Sequence, residues 1–184
     1  MRYVALGPIM LVLAAAGCVR PRYEPVHHYL VDLACRVPKT ESCGLTVGVY
    51  PIEAAQPYKL PMVYRDGGLE LHYYPHAQWA ELPRDAVTEG LIDALNATGR
   101  FGDVAYAHAV QFPDLVLTGR IRRFEEDRTE EPPAAVCEIR VELRRSKQRE
   151  LVWAATLNSR QPLETDTASG LAKAMSRAVS AVVE

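Results

Sequence analysis

Four cysteines are the most reactive side chains in the chain, and their settings differ. Cys18 stands directly after Ala15-Ala16-Gly17, at the end of an apolar run. Cys35 and Cys43 flank the polar stretch Pro38-Lys39-Thr40-Glu41. Cys137 sits inside an alternating apolar segment. A cysteine can carry a lipid, pair as a disulfide, bind a metal, or be buried as a small hydrophobe. The surroundings of each select among these.

Arg2 is the only charge before Cys18, and Tyr3 to Ala16 is apolar apart from Gly7 and Pro8. A short basic start, an apolar middle and a small-residue cut site make a secretion signal. The apolar part, about fourteen residues, falls short of the roughly twenty that a spanning helix needs. A cysteine placed right after the small residues resembles a bacterial lipobox, with Ala15 where Leu is usual. The resemblance implies that Cys18 is acylated and that residues 1–17 are removed, leaving 167 of 184 residues. Each buried methylene of such acyl chains contributes about 0.8 kcal/mol, so several chains together anchor stably. Val19 stands where lipoproteins kept at the inner membrane commonly carry Asp, which by the same resemblance implies the outer membrane. The other readings are an ordinary signal peptide with an incidental cysteine, and an uncleaved anchor.

The remaining length suits one domain with a real core. A formal net charge of −2 gives no basic excess for nucleic acid. In an oxidising compartment Cys35 and Cys43 are expected to form a disulfide. A loop that short would gain roughly 2–3 kcal/mol. Free thiols or half a metal site are the rival readings.

The elements that must position these groups follow from periodicity. Residues 18–28 hold two prolines and read as a tether. His27 and His28 are adjacent there, and on an extended segment they point opposite ways. Tyr29 to Leu33 and Leu45 to Pro51 read as strands. Asp66-Gly67-Gly68 separates Met62–Arg65 from Leu69–Tyr74, a hairpin signal. Leu69, Leu71 and Tyr73 would share one face of its second arm. Pro83 opens a helix to about Asn96, with Val87, Leu91 and Leu95 as its apolar stripe. Gly90 within it points to close packing. A short strand is expected around Val104–Tyr106.

Three alternating strands come next. Leu115, Leu117 and Ile121 mark the first. Cys137, Ile139, Val141 and Leu143 mark the second, so Cys137 is expected in the core. Leu151, Trp153, Ala155 and Leu157 mark the third. Antiparallel pairing sets Ile121 against Ile139, Leu117 against Leu143, and Arg122 against Glu138. It also sets Leu143 against Leu151 and Val141 against Trp153. An acidic loop from Glu125 to Glu131 joins the first two strands. A last helix from Asp166 or Thr167 to Val183 buries Leu171, Ala174, Met175, Ala178 and Val182.

No Gly-x-Ser-x-Gly elbow and no phosphate-binding glycine loop occurs. His72 and His76 lie on and after a strand, and Asp85 and Glu89 lie on a helix's wet face. The spacing within Glu125 to Glu131 matches no calcium loop. No catalytic residue, metal ligand or cofactor is therefore expected. The acidic loop and the basic turn (Arg144, Arg145, Lys147, Arg149) fall at opposite ends of the meander. One end could meet a partner or anionic headgroups and the other a neighbouring subunit. Two solvated turns is the alternative.

A longer pattern runs through the chain: Tyr29-Leu30, then Tyr58-x-Leu60-Pro61-Met62-Val63-Tyr64-Arg65, then Leu71-x-Tyr73-Tyr74. Gln78-Trp79-Ala80, Gly99-x-Phe101-x-x-Val104 and Asp114-x-x-Leu117 follow. This resembles the ABC-type transport auxiliary lipoproteins, the PqiC/YmbA group, which usually carry Arg where Gln78 stands. The resemblance implies an α/β sandwich like the amino-terminal domain of TolB. Its sheet would be mixed, largely antiparallel and packed by two main helices, within a single domain over residues 29–184. It also implies a non-catalytic adaptor at the outer membrane, facing the periplasm. Its partners would be an MCE-domain protein with an ABC permease and ATPase that move lipid or other hydrophobic solutes. A ring of copies, a homo-oligomer, is among the implied forms. Two alternatives stay open: a lipoprotein of lipopolysaccharide export or a secretion machine, and a periplasmic enzyme with a scattered site.

Overall fold

The computed structural model describes residues 24–184. Within them the chain forms one mixed sheet and two helices. The strands are β1 (His27–Tyr29), β2 (Thr46–Val49), β3 (Glu53–Ala54), β4 (Pro61–Arg65) and β5 (His72–Trp79), then β6 (Asp103–Tyr106), β7 (Leu115–Asp127), β8 (Ala134–Arg145) and β9 (Leu151–Pro162). The helices are α1 (Pro83–Ala97), between β5 and β6, and α2 (Ala168–Val183), at the end.

The long strand β7 is the axis. Along one edge it pairs antiparallel with β8, and β9 continues beyond. Along its other edge it pairs in turn with β2, β3 and β4, all parallel. Ile121 faces Ile139 and Leu117 faces Leu143, as the alternation requires. Arg122 is bulged out, so Arg123 takes the place opposite Glu138. Arg122 still reaches Glu138 at 3.4 Å. The bulge inverts the alternation. Phe124 therefore turns to the core, where it meets Trp79 edge-on at 5.3 Å between ring centres.

The β8–β9 register differs from expectation by two residues. Leu143 faces Trp153 and Val141 faces Ala155. A slip of two leaves the faces unchanged. Its cause is the turn, where Arg149 has φ 57° and Arg145 N–H bonds the Glu150 carbonyl at 2.9 Å. An irregularity between Leu143 and Arg144 then sets Arg144 opposite Leu151.

The β4–β5 hairpin forms, with Val63 opposite Tyr73. Its second arm starts at His72, not Leu69, and runs through Trp79. Gly68, at φ +62°, helps form a wider turn that leaves Leu69 almost fully exposed. The expected strand from Tyr29 to Leu33 also ends early. Beyond β1 the backbone N–H groups of Asp32, Ala34 and Arg36 bond Ser176 Oγ, Ser180 Oγ and Glu184 Oε1 at 3.0, 3.2 and 2.9 Å. Side chains spaced four apart on α2 capture alternate amides of an extended segment, so this stretch lies along a helix instead of in the sheet.

Pro83 begins α1, where its missing N–H costs nothing. A Cβ on Gly90 would come within 2.6 Å of Leu33 Cδ1, which is the close packing that the glycine signals. Thr167 caps α2 by accepting from Gly170 N–H at 3.0 Å. That helix packs on β8 and β9, and α1 packs on β3, β6 and α2. Leu171, Met175, Ile121, Ile139 and Met62 are fully buried between sheet and helices. Each such side chain contributes about 1.5–3 kcal/mol.

Candidate functional site

The acidic run is not a loop. Glu125, Glu126 and Asp127 are the last residues of β7, and both glutamates are fully buried. Only Glu130 and Glu131 lie in the connection to β8. The cause is what neighbouring strands bring opposite. Tyr58 Oη donates to Glu125 Oε2 at 2.6 Å, and Arg65 Nε and Arg123 Nη2 donate to its Oε1 at 3.0 and 2.8 Å. Glu126 accepts from Tyr74 Oη, and from Arg128 Nε at 2.7 Å. The Arg128 guanidinium also lies 4.2 Å from the centre of the Tyr64 ring. Asp127 accepts from Arg123 at 3.0 Å, from Arg160 at 2.9 Å, and from Thr129.

Burial raises a carboxyl's pKa, but at Glu125 the Arg65, Tyr58 and Arg123 hydrogen bonds outweigh it and hold the group below the usual range. The balance is the same at Asp127, where Thr129, Arg123 and Arg160 overcome burial and hold it well below. Burial, and then the glutamate acceptors, push the Tyr58 and Tyr74 phenols above their ordinary value. The four arginines, two tyrosines and three carboxylates are thus committed to one another. Among the described residues no buried side-chain polar atom lacks a partner. Chemically the cluster is a clamp that joins β4, β5 and β7. The signal for it lay in Tyr64-Arg65 and Tyr73-Tyr74, whose arginine and phenol need acceptors once they enter a sheet.

The basic turn lies at the other end of the same hairpin. Leu115 pairs with Arg145 there, and Asp127 pairs with Ala134 at the clamp. Thirteen residues separate the ends by roughly 40 Å at about 3.4 Å per residue. Arg144 is tied to Glu142 at 2.8 Å, and Arg145 to Glu150 at 3.5 Å. Lys147 and Arg149 are exposed, and among the described residues neither forms an ion pair. Beside them stand apolar groups that the alternation placed in the core. Leu151 and Trp153 are 47% and 46% exposed, because β9 is an edge strand. Val152 is 48% exposed, and Phe112, with φ 52°, is 85% exposed.

The other expected residues fall as follows. Cys18 lies outside the described residues. Cys35 and Cys43 are not bonded to one another in the structure. Their segments are held by different elements. Ala34 and Arg36 bond α2, whereas Thr40 and Cys43 N–H groups bond the Thr98 and Arg100 carbonyls past the end of α1. Cys137 is buried in the core, and burial pushes its thiol up to about 12. His72 stacks on Tyr64 and lies 3.3 Å from Asp66, while His76 lies 3.1 Å from Glu24.

Comparison with solved structures shows where this fold recurs. Protein XCC0632 from Xanthomonas campestris superposes with a TM-score of 0.76 at 23% identity, over 86% of this chain and 90% of that one. A crystal structure of an uncharacterized protein gives 0.68 at 14% identity, over 85% and 93%. Lipoprotein GNA1162 from Neisseria meningitidis is more distant, at 0.40 and 14% identity, over 70% and 90%. No curated protein sequence matches the chain. The family described as "ABC-type transport auxiliary lipoprotein component" matches residues 36–184, most of the chain including the clamp, the basic turn and both helices. The chain therefore belongs to the ABC-type transport auxiliary lipoprotein family.

Proposed function

We propose that the chain is the lipid-anchored, non-catalytic accessory component of an MCE-type ABC transport system. It would be fixed to the outer membrane through Cys18 and face the periplasm. The family match over residues 36–184 carries this reading. The geometry supports it. Glu24 bonds His76, and β1 lies beside β5 with His27 at Ala77, so the tether leaves from the clamp end of the sheet. From Cys18 to Glu24 a chain of six residues reaches at most ~20 Å. An anchored Cys18 keeps the clamp end near the bilayer and points the basic turn away, toward other envelope components. The tyrosines and carboxylates of the clamp are bound to one another, which suits a scaffold better than a catalyst. In this reading the protein docks an MCE-domain protein that works with a permease and an ATPase, alone or as a ring of copies.

The test is affinity purification of the lipidated protein from membranes. The reading expects an MCE-domain protein to co-purify, with a permease and an ATPase behind it. Recovery of lipopolysaccharide-export or secretion components in their place would assign the protein to another machine.

A further inference from the structure

We propose that the free edge of β9 is a docking site for an extended segment of a partner protein, apolar at alternate positions and acidic at its end. Among the described residues four strands of the sheet pair along one side only. β1 has three residues, β3 two and β6 four, short enough to offer little edge. β9 has twelve. From Leu151 to Ser159 it carries no charge and no proline, the usual devices that keep other strands away. Arg160, its only charge, is held by Asp127 at 2.9 Å and Glu130 at 3.4 Å.

The backbone phase is fixed. Leu163 N–H bonds the Pro133 carbonyl at 2.8 Å, and the register runs unbroken from Ala134–Pro162 to Leu143–Trp153. Bonded and non-bonded pairs alternate along an antiparallel ladder. Odd-numbered residues of β9 therefore face β8, and Ala154, Thr156 and Asn158 turn their N–H and C=O groups outward. Beside this edge lies an apolar groove of about 530 Å³, lined by Trp153, Leu157, Leu95 and Val182, with Thr156 and Asn158 at its border. A strand added to β9 would bond the outward groups and lower every second side chain into the groove. Lys147 and Arg149 stand in the turn just before β9, so the end of the incoming segment nearest them is acidic. This deepens the accessory reading by giving it a contact. The experiment below uses no transporter component, so its failure leaves that reading standing.

The probe is the synthetic peptide Asp-Glu-Val-Thr-Val-Thr-Val-Glu-Asp, acidic at both ends so that either strand direction presents charge to the turn. It is titrated into the mature domain at low salt while the amide spectrum is followed. The proposal expects shifts and slowed exchange at Ala154, Thr156 and Asn158. Thr156→Pro, which removes an outward N–H and no bond to β8, should abolish binding, with the native spectrum as the check on folding. Lys147→Glu with Arg149→Glu leaves the strand intact and should weaken binding by about tenfold. No response to the peptide, shifts centred elsewhere, or binding indifferent to both variants would overturn the proposal. So would an oligomer that Thr156→Pro converts to monomer, because the edge would then belong to a second copy of the chain.

Discussion

The two ends of the β7–β8 ladder are both runs of like charge in sequence, and the fold treats them in opposite ways. Glu125, Glu126 and Asp127 are drawn into the sheet, where Arg65, Arg123, Arg128 and Arg160 meet them from β4, β7 and β9 and from the loop after β7. Lys147 and Arg149 meet nothing of the kind and stay in water. A charge run is thus a surface or a core feature according to what the neighbouring strands present. Burial makes the acidic end rigid and saturated, while the basic end keeps free charge and exposed apolar groups side by side. This asymmetry suits the proposed scaffold, held at one end and docking at the other.

The sharpest way to break the comparison is to remove one buried carboxylate. Glu125→Ala strands Arg65 and the Tyr58 hydroxyl inside the sheet, leaves Arg123 with Asp127 alone, and should cost about 3–5 kcal/mol. A urea melt would show it as a lower midpoint. A midpoint near wild type would mean that the clamp end is as dispensable as a surface.

Acid should find the same weakness more gradually. Glu125 and Asp127 are held below their ordinary values in the folded state. Their contribution is present above the unfolded carboxylate range near pH 4, and is lost as pH falls through the folded values. Urea midpoints measured from pH 7 down to pH 3 should decline, and Glu125→Gln should flatten that decline. A wild-type profile that stays level would remove the electrostatic account of the clamp.

Reversal of charge at the other end should do least. Lys147→Glu with Arg149→Glu is expected to stay within about 0.5 kcal/mol of wild-type stability, because neither side chain forms an ion pair among the described residues and the Arg149 hydrogen bonds are made by its backbone. A larger loss would show that the basic turn carries load.

Much of the sheet was legible because alternation over long strands leaves few choices. Ile121–Ile139 and Leu117–Leu143 followed from parity alone. The burial of Cys137 and the stripes of both helices followed from the same periodicity. What escaped were features set by a single irregular residue or by a distant partner. The bulge at Arg122 inverts the strand and buries a glutamate where a turn was expected. The edge position of β9 exposes Trp153, which its own alternation cannot reveal. Asp32 and Ala34 bond serines about 145 places away, beyond any local pattern.

The pairing of the thiols is open to direct test. Short spacing favours pairing of Cys35 with Cys43, yet each follows a different helix. Alkylation of the native protein without reductant should label exposed Cys43 first and Cys35 more slowly, since burial, Glu184 and Asp93 raise its pKa. Cys137 should react only after unfolding. Absence of label at both Cys35 and Cys43 until reductant is added would show the disulfide.

The central claim is a scaffold held to a membrane by its amino terminus, and intact-mass analysis of the mature protein from fractionated cells tests it most directly. The account predicts a membrane-bound chain that begins at Cys18, lacks residues 1–17 and is heavier than its polypeptide by the mass of several acyl chains. A soluble chain with an unmodified Cys18 thiol would contradict it.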